Sequence, residues 1–152
     1  MSKNDTTLNP QNKCAHLFSQ RVSKLNNALV EIFEMQKSLQ KKLAEKGRAI
    51  DYDTADHQTR VRELTVQWRN LTLEFAELLE RLPFKEWKTY TPEQLSGEAL
   101  SYEERLEVWY EYCDMFHFFI NMGLALGING DDLERLYVTK NAENFDRQKR
   151  GY

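Results

Sequence analysis

The stretch "WYEYCDMFHFFINMGLALGI", residues 109–128, carries the clearest helical pattern in this chain. Apolar side chains recur through it almost without interruption, and Gly127 stands where a helix would end. Upstream, Ser101 is followed by Glu104 in the form of a capping box, which marks a helix start. We therefore predict a long helix over about residues 102–126.

Three further segments on either side of this helix show the same periodicity. They cover about residues 14–46, about residues 56–82, and a last segment that begins near Asp131. Pro83 stops the second of them, and short helical pieces are expected in the connection that follows. Because no strand alternation extends beyond a few residues, the sequence predicts an all-α bundle of four main helices.

Length and composition indicate one domain. The chain has 152 residues, 41% of them hydrophobic, with only six Gly and three Pro, so we expect a single domain over 1–152 with a flexible N-terminus at 1–12. The formal net charge of −3 argues against a nucleic-acid partner. There is no signal peptide and no apolar run that could span a membrane, so a cytoplasmic location is expected. Cys14 and Cys113 are read as reduced structural residues.

Two carboxylate pairs are the first candidates for chemistry. Glu74 and Glu77 are three residues apart in "LEFAEL", and Glu111 and Asp114 have the same spacing in "YEYCDM". Residues at i and i+3 share a helix face, and the apolar neighbours indicate that both pairs face the core. Buried carboxylates need a cation, and oxygen ligands suit Mg²⁺ or Mn²⁺. Spacing alone leaves the alternative of ordinary solvated acids open.

The order of four segments carries a family resemblance. "IFEMQKSLQKKL", "WRNLTLEFAELLERLPFKEWK", "WYEYCDMFHFFINMGLALGI" and "LYVTKNAENFDRQKRGY" follow one another as they do in the all-α nucleoside triphosphate pyrophosphatases. That group includes the dimeric dUTPases and the MazG-type enzymes. The resemblance covers about residues 24–152, and it is closest to the phage members that act on dCTP.

The resemblance implies a role for each motif. Glu74, Glu77, Glu111 and Asp114 match the carboxylates that hold Mg²⁺, with Mn²⁺ as a possible substitute. Glu74 and Glu77 are the catalytic candidates, and Glu74 is the one expected to act as general base for the attacking water. The positions that match substrate-binding residues are Gln36, Gln40, Trp87, His117, Phe118, Lys140, Asn144, Arg147 and Tyr152.

Several of these positions also have ordinary structural readings. Gln36 and Gln40 are compatible with a solvated helix face, and His117 and Phe118 with a packed core. The closing segment, residues 140–152, would by itself be a solvated basic tail, but Lys140 and Arg147 share a helix face and suit polyphosphate oxygens. We interpret this segment as a clamp that folds over the nucleotide.

One departure from the family pattern bears on the base. Dimeric dUTPases typically carry "PWKWWK", whereas this chain reads "PFKEWK" with Phe84 and Glu86 in place of tryptophans. The departure favours dCTP over a strict dUTPase. Gln36 can present either its carbonyl or its amino group, so an enzyme that accepts both dCTP and dUTP is also expected.

The resemblance therefore implies a Mg²⁺-dependent pyrophosphohydrolase that cleaves dCTP, and dUTP as well, to the monophosphate and pyrophosphate. The alternatives are a strict dUTPase, another MazG-like pyrophosphohydrolase, or a non-catalytic helical interaction protein. The family implies a homodimer, or a tetramer, and a phage-encoded member would work in the cytoplasm of its host.

Overall fold

The computed structural model describes residues 28–151. The expected flexible segment 1–12, the beginning of the first predicted helix and Tyr152 lie outside the described residues. Within 28–151 every regular element is a helix, so the predicted all-α class is confirmed. No helix in this range is long and apolar enough to cross a bilayer.

Four long helices and one short helix make up the described chain. They are α1 (Ala28–Ala44), α2 (His57–Glu80), the short α3 (Pro92–Ser96), α4 (Tyr102–Leu126) and α5 (Gly130–Arg150). The bounds of α4 match the prediction. Helices α1 and α2 each end two residues earlier than expected, because turns precede Gly47 and Pro83.

Local signals in the sequence fix the helix ends. Asp56 caps α2 by accepting from the Thr59 amide, and both Thr91 and Ser101 form complete capping boxes at the starts of α3 and α4. Gly127 adopts a left-handed conformation (φ 78°) after the last residue of α4, a geometry that a side chain would strain. Helix α5 can therefore begin three residues later in a new direction.

Helices α2 and α4 form the main packing unit. Gln67 lies opposite Asn121, and Arg81 lies opposite Glu111, so the two helices run antiparallel. Helix α1 packs across α4 and also contacts α5. The buried apolar core lies where α1, the following turn and α4 meet, and it consists of Phe33, Tyr52, Ile120, Leu124 and Ala125.

A close approach of the backbone holds α5 against α1. A Cβ atom added to Gly130 would lie 2.5 Å from the Cα of Val30, a distance that only glycine permits. The start of α5 is therefore fixed, whereas the rest of this helix extends past the end of the core with most of its residues exposed.

The outer surface of the α2–α4 unit is unusually apolar. Large side chains at its surface include Trp68, Leu73, Phe75, Trp109, Tyr112 and Phe119. Leu73, Phe75 and Trp109 are among the apolar neighbours of the two acidic pairs, and in the described chain they lie at the surface. Helices that are apolar on several faces need cover on each of them, and the described chain covers only one face of this pair.

Candidate functional site

Three carboxylates from two helices come together at one end of the α2–α4 seam. Glu74 and Glu77 of α2 and Glu111 of α4 each offer an oxygen, and these oxygens all lie within 4.8 Å of one another. Glu111 is buried, Glu74 is half-buried and Glu77 is exposed. Three convergent carboxylate oxygens fit a hard divalent cation such as Mg²⁺, which retains several waters and takes few protein ligands.

The prediction that all four acids point into the core is wrong for three of them. Of the four, only Glu111 is buried, and the side chain of Asp114 remains 48% exposed. Three of the apolar neighbours in the sequence, Leu73, Phe75 and Trp109, are exposed instead, and the acids line an open seam between two helices. The site is therefore accessible from solvent, as an ion or a substrate requires.

The cluster carries a net negative charge. Burial is the largest influence that raises the pKa of Glu74, and the charges of Glu77, Asp114 and Glu111 raise it further. His117 opposes this shift. A carboxyl with a raised pKa is better suited to accept a proton than an ordinary surface acid, and a cation bound here would relieve the repulsion.

Arg81 is a member of the site that the sequence did not reveal. Its Nε and Nη2 donate to Oε1 of Glu111 at 2.9 and 2.7 Å, and Nη2 also lies 3.6 Å from Glu107. The guanidinium provides the charge that the buried Glu111 needs in the absence of a cation. The spacing of Arg81, seven residues after Glu74, was the available signal, since it places both on one face of the extended helix.

Replacement of Arg81 by Gln should lower the free energy of unfolding by about 1–2 kcal/mol. Loss of a buried ion partner costs more than this, but Arg81 is 41% exposed and its pair is screened by solvent. Urea unfolding without divalent ions measures the effect, and saturating Mg²⁺ should recover part of the loss. An unchanged midpoint would show that Glu111 does not depend on Arg81.

Asp114 and His117 form a pair next to the carboxylate cluster. Oδ1 of Asp114 lies 3.1 Å from Nδ1 of His117, one turn further along α4. The contact orients the imidazole and leaves Nε2 as the ring nitrogen that can meet another group. Both side chains are nearly half exposed, so the core reading of His117 is not supported.

A buried chain of amides lies further along the same seam. Nε2 of Gln36 donates to Oδ1 of Asn121 at 2.8 Å, and Nδ2 of Asn121 donates to Oε1 of Gln67 at 2.9 Å. Nε2 of Gln67 then donates to Oε1 of Glu63. Asn121 is 1% exposed, and Gln36 and Gln67 are 5% exposed each. This chain connects α1, α4 and α2.

The burial of these amides corrects one interpretation and adds residues to the site. Gln36 and Gln40 are both buried, so the solvated-face reading of this pair is wrong. Asn121, Gln67 and Glu63 were not predicted from the sequence. For Gln67 and Asn121 the sequence did contain an indication, because each lies seven residues from an acid, Gln67 from Glu74 and Asn121 from Asp114. This spacing places each amide on the same helix face as its acid.

The two remaining aromatic candidates lie on different elements of the chain. Phe118 is half-buried on α4, next to His117 in the chain. Trp87 lies in the turn region after α2 and is 79% exposed. The described chain does not bring the indole of Trp87 into contact with any aromatic ring.

The structure also leaves the closing segment at a distance from the acids. Among the helices, the backbone of α5 approaches only that of α1. Lys140 and Asn144 are exposed, and Nε of Arg147 donates to Glu143 at 3.1 Å. Within one copy of the chain, the described part of this segment therefore does not join the carboxylate cluster.

Comparisons with known proteins agree with this architecture. A family model described as dUTPase matches residues 28–129 and 110–152. A dCTP pyrophosphatase of Enterobacteria phage LZ5 is 34% identical, and the alignment covers 93% of this chain and 98% of that protein. A dCTP pyrophosphatase of Enterobacteria phage T4 is 30% identical, with the same coverage of both chains.

A DNA replication protein of Enterobacteria phage T4 is 28% identical over 86% of this chain, which spans only 40% of that longer protein. No solved structure gives a significant match. The extent of the family match and the near-complete alignment with two phage enzymes confirm the kinship that the four sequence segments indicated. The chain belongs to the dUTPase family.

Proposed function

We propose that this protein is a Mg²⁺-dependent nucleotide pyrophosphohydrolase that cleaves dCTP, and also dUTP, to the nucleoside monophosphate and pyrophosphate. The observation that carries the proposal is the convergence of Glu74, Glu77 and Glu111 at the seam of α2 and α4. The two phage relatives of near-equal length are named dCTP pyrophosphatases. A strict dUTPase is the second candidate, because the matching family is described as dUTPase.

The carboxylates would hold the cation and prepare the water. Glu74, Glu77, Glu111 and Asp114 are the proposed Mg²⁺ ligands, and Mn²⁺ would fit the same oxygens. When bound, the ion would neutralise phosphate charge and lower the pKa of a water molecule. A carboxylate oxygen of Glu74 would accept the proton of the attacking water, in keeping with its raised pKa. Nε2 of His117, oriented by Asp114, would contact a phosphate oxygen.

The amide chain would bind the nucleobase. Gln67 lies seven residues before Glu74 on α2, and Asn121 lies seven residues after Asp114 on α4. Each spacing corresponds to about 10 Å along its helix, in the same direction because the helices are antiparallel. This distance suits a nucleotide whose phosphates lie at the acids and whose base lies at Gln36 and Gln40. Phe118 and Trp87 would offer aromatic faces to the base or the sugar.

A second copy of the chain would complete the site. The exposed apolar surface of α2 and α4 supports a homodimer, with a tetramer as the alternative. In such an assembly the closing segment of one copy would reach the acids of the other. Lys140 and Arg147 would then bind phosphate oxygens, Asn144 the sugar, and Tyr152 would close the tail over the nucleotide. A phage enzyme of this kind would act in the cytoplasm of the host.

A panel of deoxynucleoside triphosphates tests the proposal. The purified protein is incubated with Mg²⁺ and each of dCTP, dUTP, dTTP, dATP and dGTP, and pyrophosphate release is measured. We expect dCTP and dUTP to be hydrolysed. No turnover of any pyrimidine nucleotide would contradict the proposed function, and a preference for dATP or dGTP would contradict the pyrimidine assignment.

Mg²⁺ should stabilise the fold, and more so at neutral pH than in acid. Because the folded-state pKa of Glu74 is raised, protonation of its carboxyl stabilises the folded protein in acid. This stabilisation is lost as the pH rises through that pKa. Mg²⁺ at about 100 times its Kd should raise Tm by about 5–10 °C near pH 7. The rise should be clearly smaller near pH 5, where protons compete for the carboxylates. Equal rises at both pH values in a thermal melt would contradict this.

A further inference from the structure

The buried amide chain has a direction. In each of its three hydrogen bonds the side-chain nitrogen of one residue donates to the side-chain oxygen of the next. Gln36 donates to Asn121, Asn121 donates to Gln67, and Gln67 donates to Glu63. The chain therefore ends on a carboxylate. An ionised carboxylate can only accept hydrogen bonds, so Gln67 must turn its amino group toward Glu63.

Reversal of this direction would be costly. If Gln36 turned its carbonyl toward Asn121, the two amides beyond it would have to turn as well. The carbonyl of Gln67 would then face the carboxylate of Glu63, and two acceptors would meet without a proton between them. Because Gln36, Asn121 and Gln67 are all at least 95% buried, water cannot repair the mismatch.

A second observation indicates that this polar region serves a ligand. Tyr52 is 5% exposed, and its hydroxyl has no hydrogen-bond partner in the part of the chain that the structure describes. Burial raises the pKa of Tyr52, and the charge of Glu63 adds to this shift. Buried polar groups in native proteins are nearly always paired, so the orphan hydroxyl of Tyr52 marks a point where a ligand would supply the missing partner.

We propose that Glu63 is a specificity-determining residue that acts through Gln67 and Asn121 to fix the amide of Gln36, and that this orientation selects cytosine over uracil. The proposal rests on the proposed function, since it assigns the base end of the same site. Glu63 is a positioning residue and does not contact the nucleotide.

The chemistry of the two bases supplies the selection. With one N–H committed to Asn121, Gln36 presents its carbonyl oxygen beside its remaining N–H. Cytosine offers a donor at its C4 amino group and an acceptor at N3, which matches this order. Uracil offers an acceptor at C4 and a donor at N3, so it requires the opposite orientation of the amide. A glutamine that can rotate freely binds either base, whereas the fixed amide of Gln36 binds cytosine in preference to uracil.

The test compares kcat/KM for dCTP and dUTP in the wild type and in Glu63→Gln. The wild type should prefer dCTP. A neutral amide at position 63 can donate or accept, so the chain can reverse, and the dCTP-to-dUTP ratio should fall by about tenfold. A purely structural defect would lower kcat/KM for dCTP and kcat/KM for dUTP by the same factor and leave their ratio unchanged. Glu134→Gln, which alters an exposed acid on α5, should keep the wild-type ratio.

Gln67→Met provides a second route if Glu63→Gln does not fold. It interrupts the chain at similar side-chain volume, and the same fall in the ratio is expected. A wild-type preference for dUTP, or an unchanged ratio in a folded variant, would overturn the inference. Absence of all turnover in the wild type would instead contradict the proposed function. Calorimetric binding of dCTP and dUTP would then measure the same preference without hydrolysis.

Discussion

Glu77→Gln should reduce the kcat for dCTP by about 10³-fold or more. The substitution removes one negative charge from the three oxygens that converge at the seam, and stabilisation of phosphate charge by a bound cation accounts for several kcal/mol of a transition state. Because Glu77 is exposed, the fold should tolerate the change, with a loss of unfolding free energy of about 0.5 kcal/mol or less. Steady-state kinetics with a thermal melt measures both quantities.

Glu80→Gln is the matched control for this experiment. Glu80 lies on the same helix and is also exposed, but its carboxylate is not among the three whose oxygens converge at the seam. The control should retain nearly full activity. If Glu77→Gln remained active, or if both variants lost activity equally, the assignment of the carboxylate cluster would be wrong.

Deletion of residues 147–152 should lower kcat/KM for dCTP by at least about 100-fold. The deletion removes the guanidinium of Arg147, and each charge-assisted hydrogen bond to phosphate contributes about 1.5–3 kcal/mol. The helical fold should persist, because the contacts that hold α5 lie at its start, where Gly130 meets Val30. Circular dichroism checks the fold, and hydrolysis assays check the activity.

Single substitutions distinguish the proposed clamp from a general effect of the tail. Arg147→Ala should reproduce much of the loss, whereas Lys149→Ala should not, because Lys149 lies on the face of α5 opposite to Lys140 and Arg147. Full activity of the deletion variant would show that the closing segment has no part in the site. A mixture of Glu77→Gln and deletion chains should regain activity if one copy completes the site of another.

The helices were predictable because local chemistry determines them. The capping boxes at Thr91 and Ser101 and the glycine at 127 act over a few residues, so their effect is visible in the sequence. The acidic pairs were visible for a similar reason, since a spacing of three places two carboxylates on one helix face. The approach of Glu111 to Glu74 and Glu77 additionally required antiparallel packing of α2 and α4.

Partners from distant parts of the chain could not be predicted in this way. Gln36 and Asn121 are separated by 85 positions, and no local pattern connects a glutamine in one helix with an asparagine in another. Arg81 looked like a residue of an ordinary helix end, although it neutralises Glu111 across 30 positions. The depth of burial of Gln36 and the exposure of Trp109 depend on which face of each helix is covered, and packing alone decides that.

Identification of the products by ³¹P nuclear magnetic resonance tests the proposed function most directly. The protein is mixed with dCTP and Mg²⁺, and spectra are recorded until the substrate is consumed, with EDTA added to a parallel sample. We predict equal amounts of dCMP and pyrophosphate, and no reaction in EDTA. The appearance of dCDP and inorganic phosphate, undiminished reaction in EDTA, or unchanged dCTP in the Mg²⁺ sample would contradict a Mg²⁺-dependent pyrophosphohydrolase.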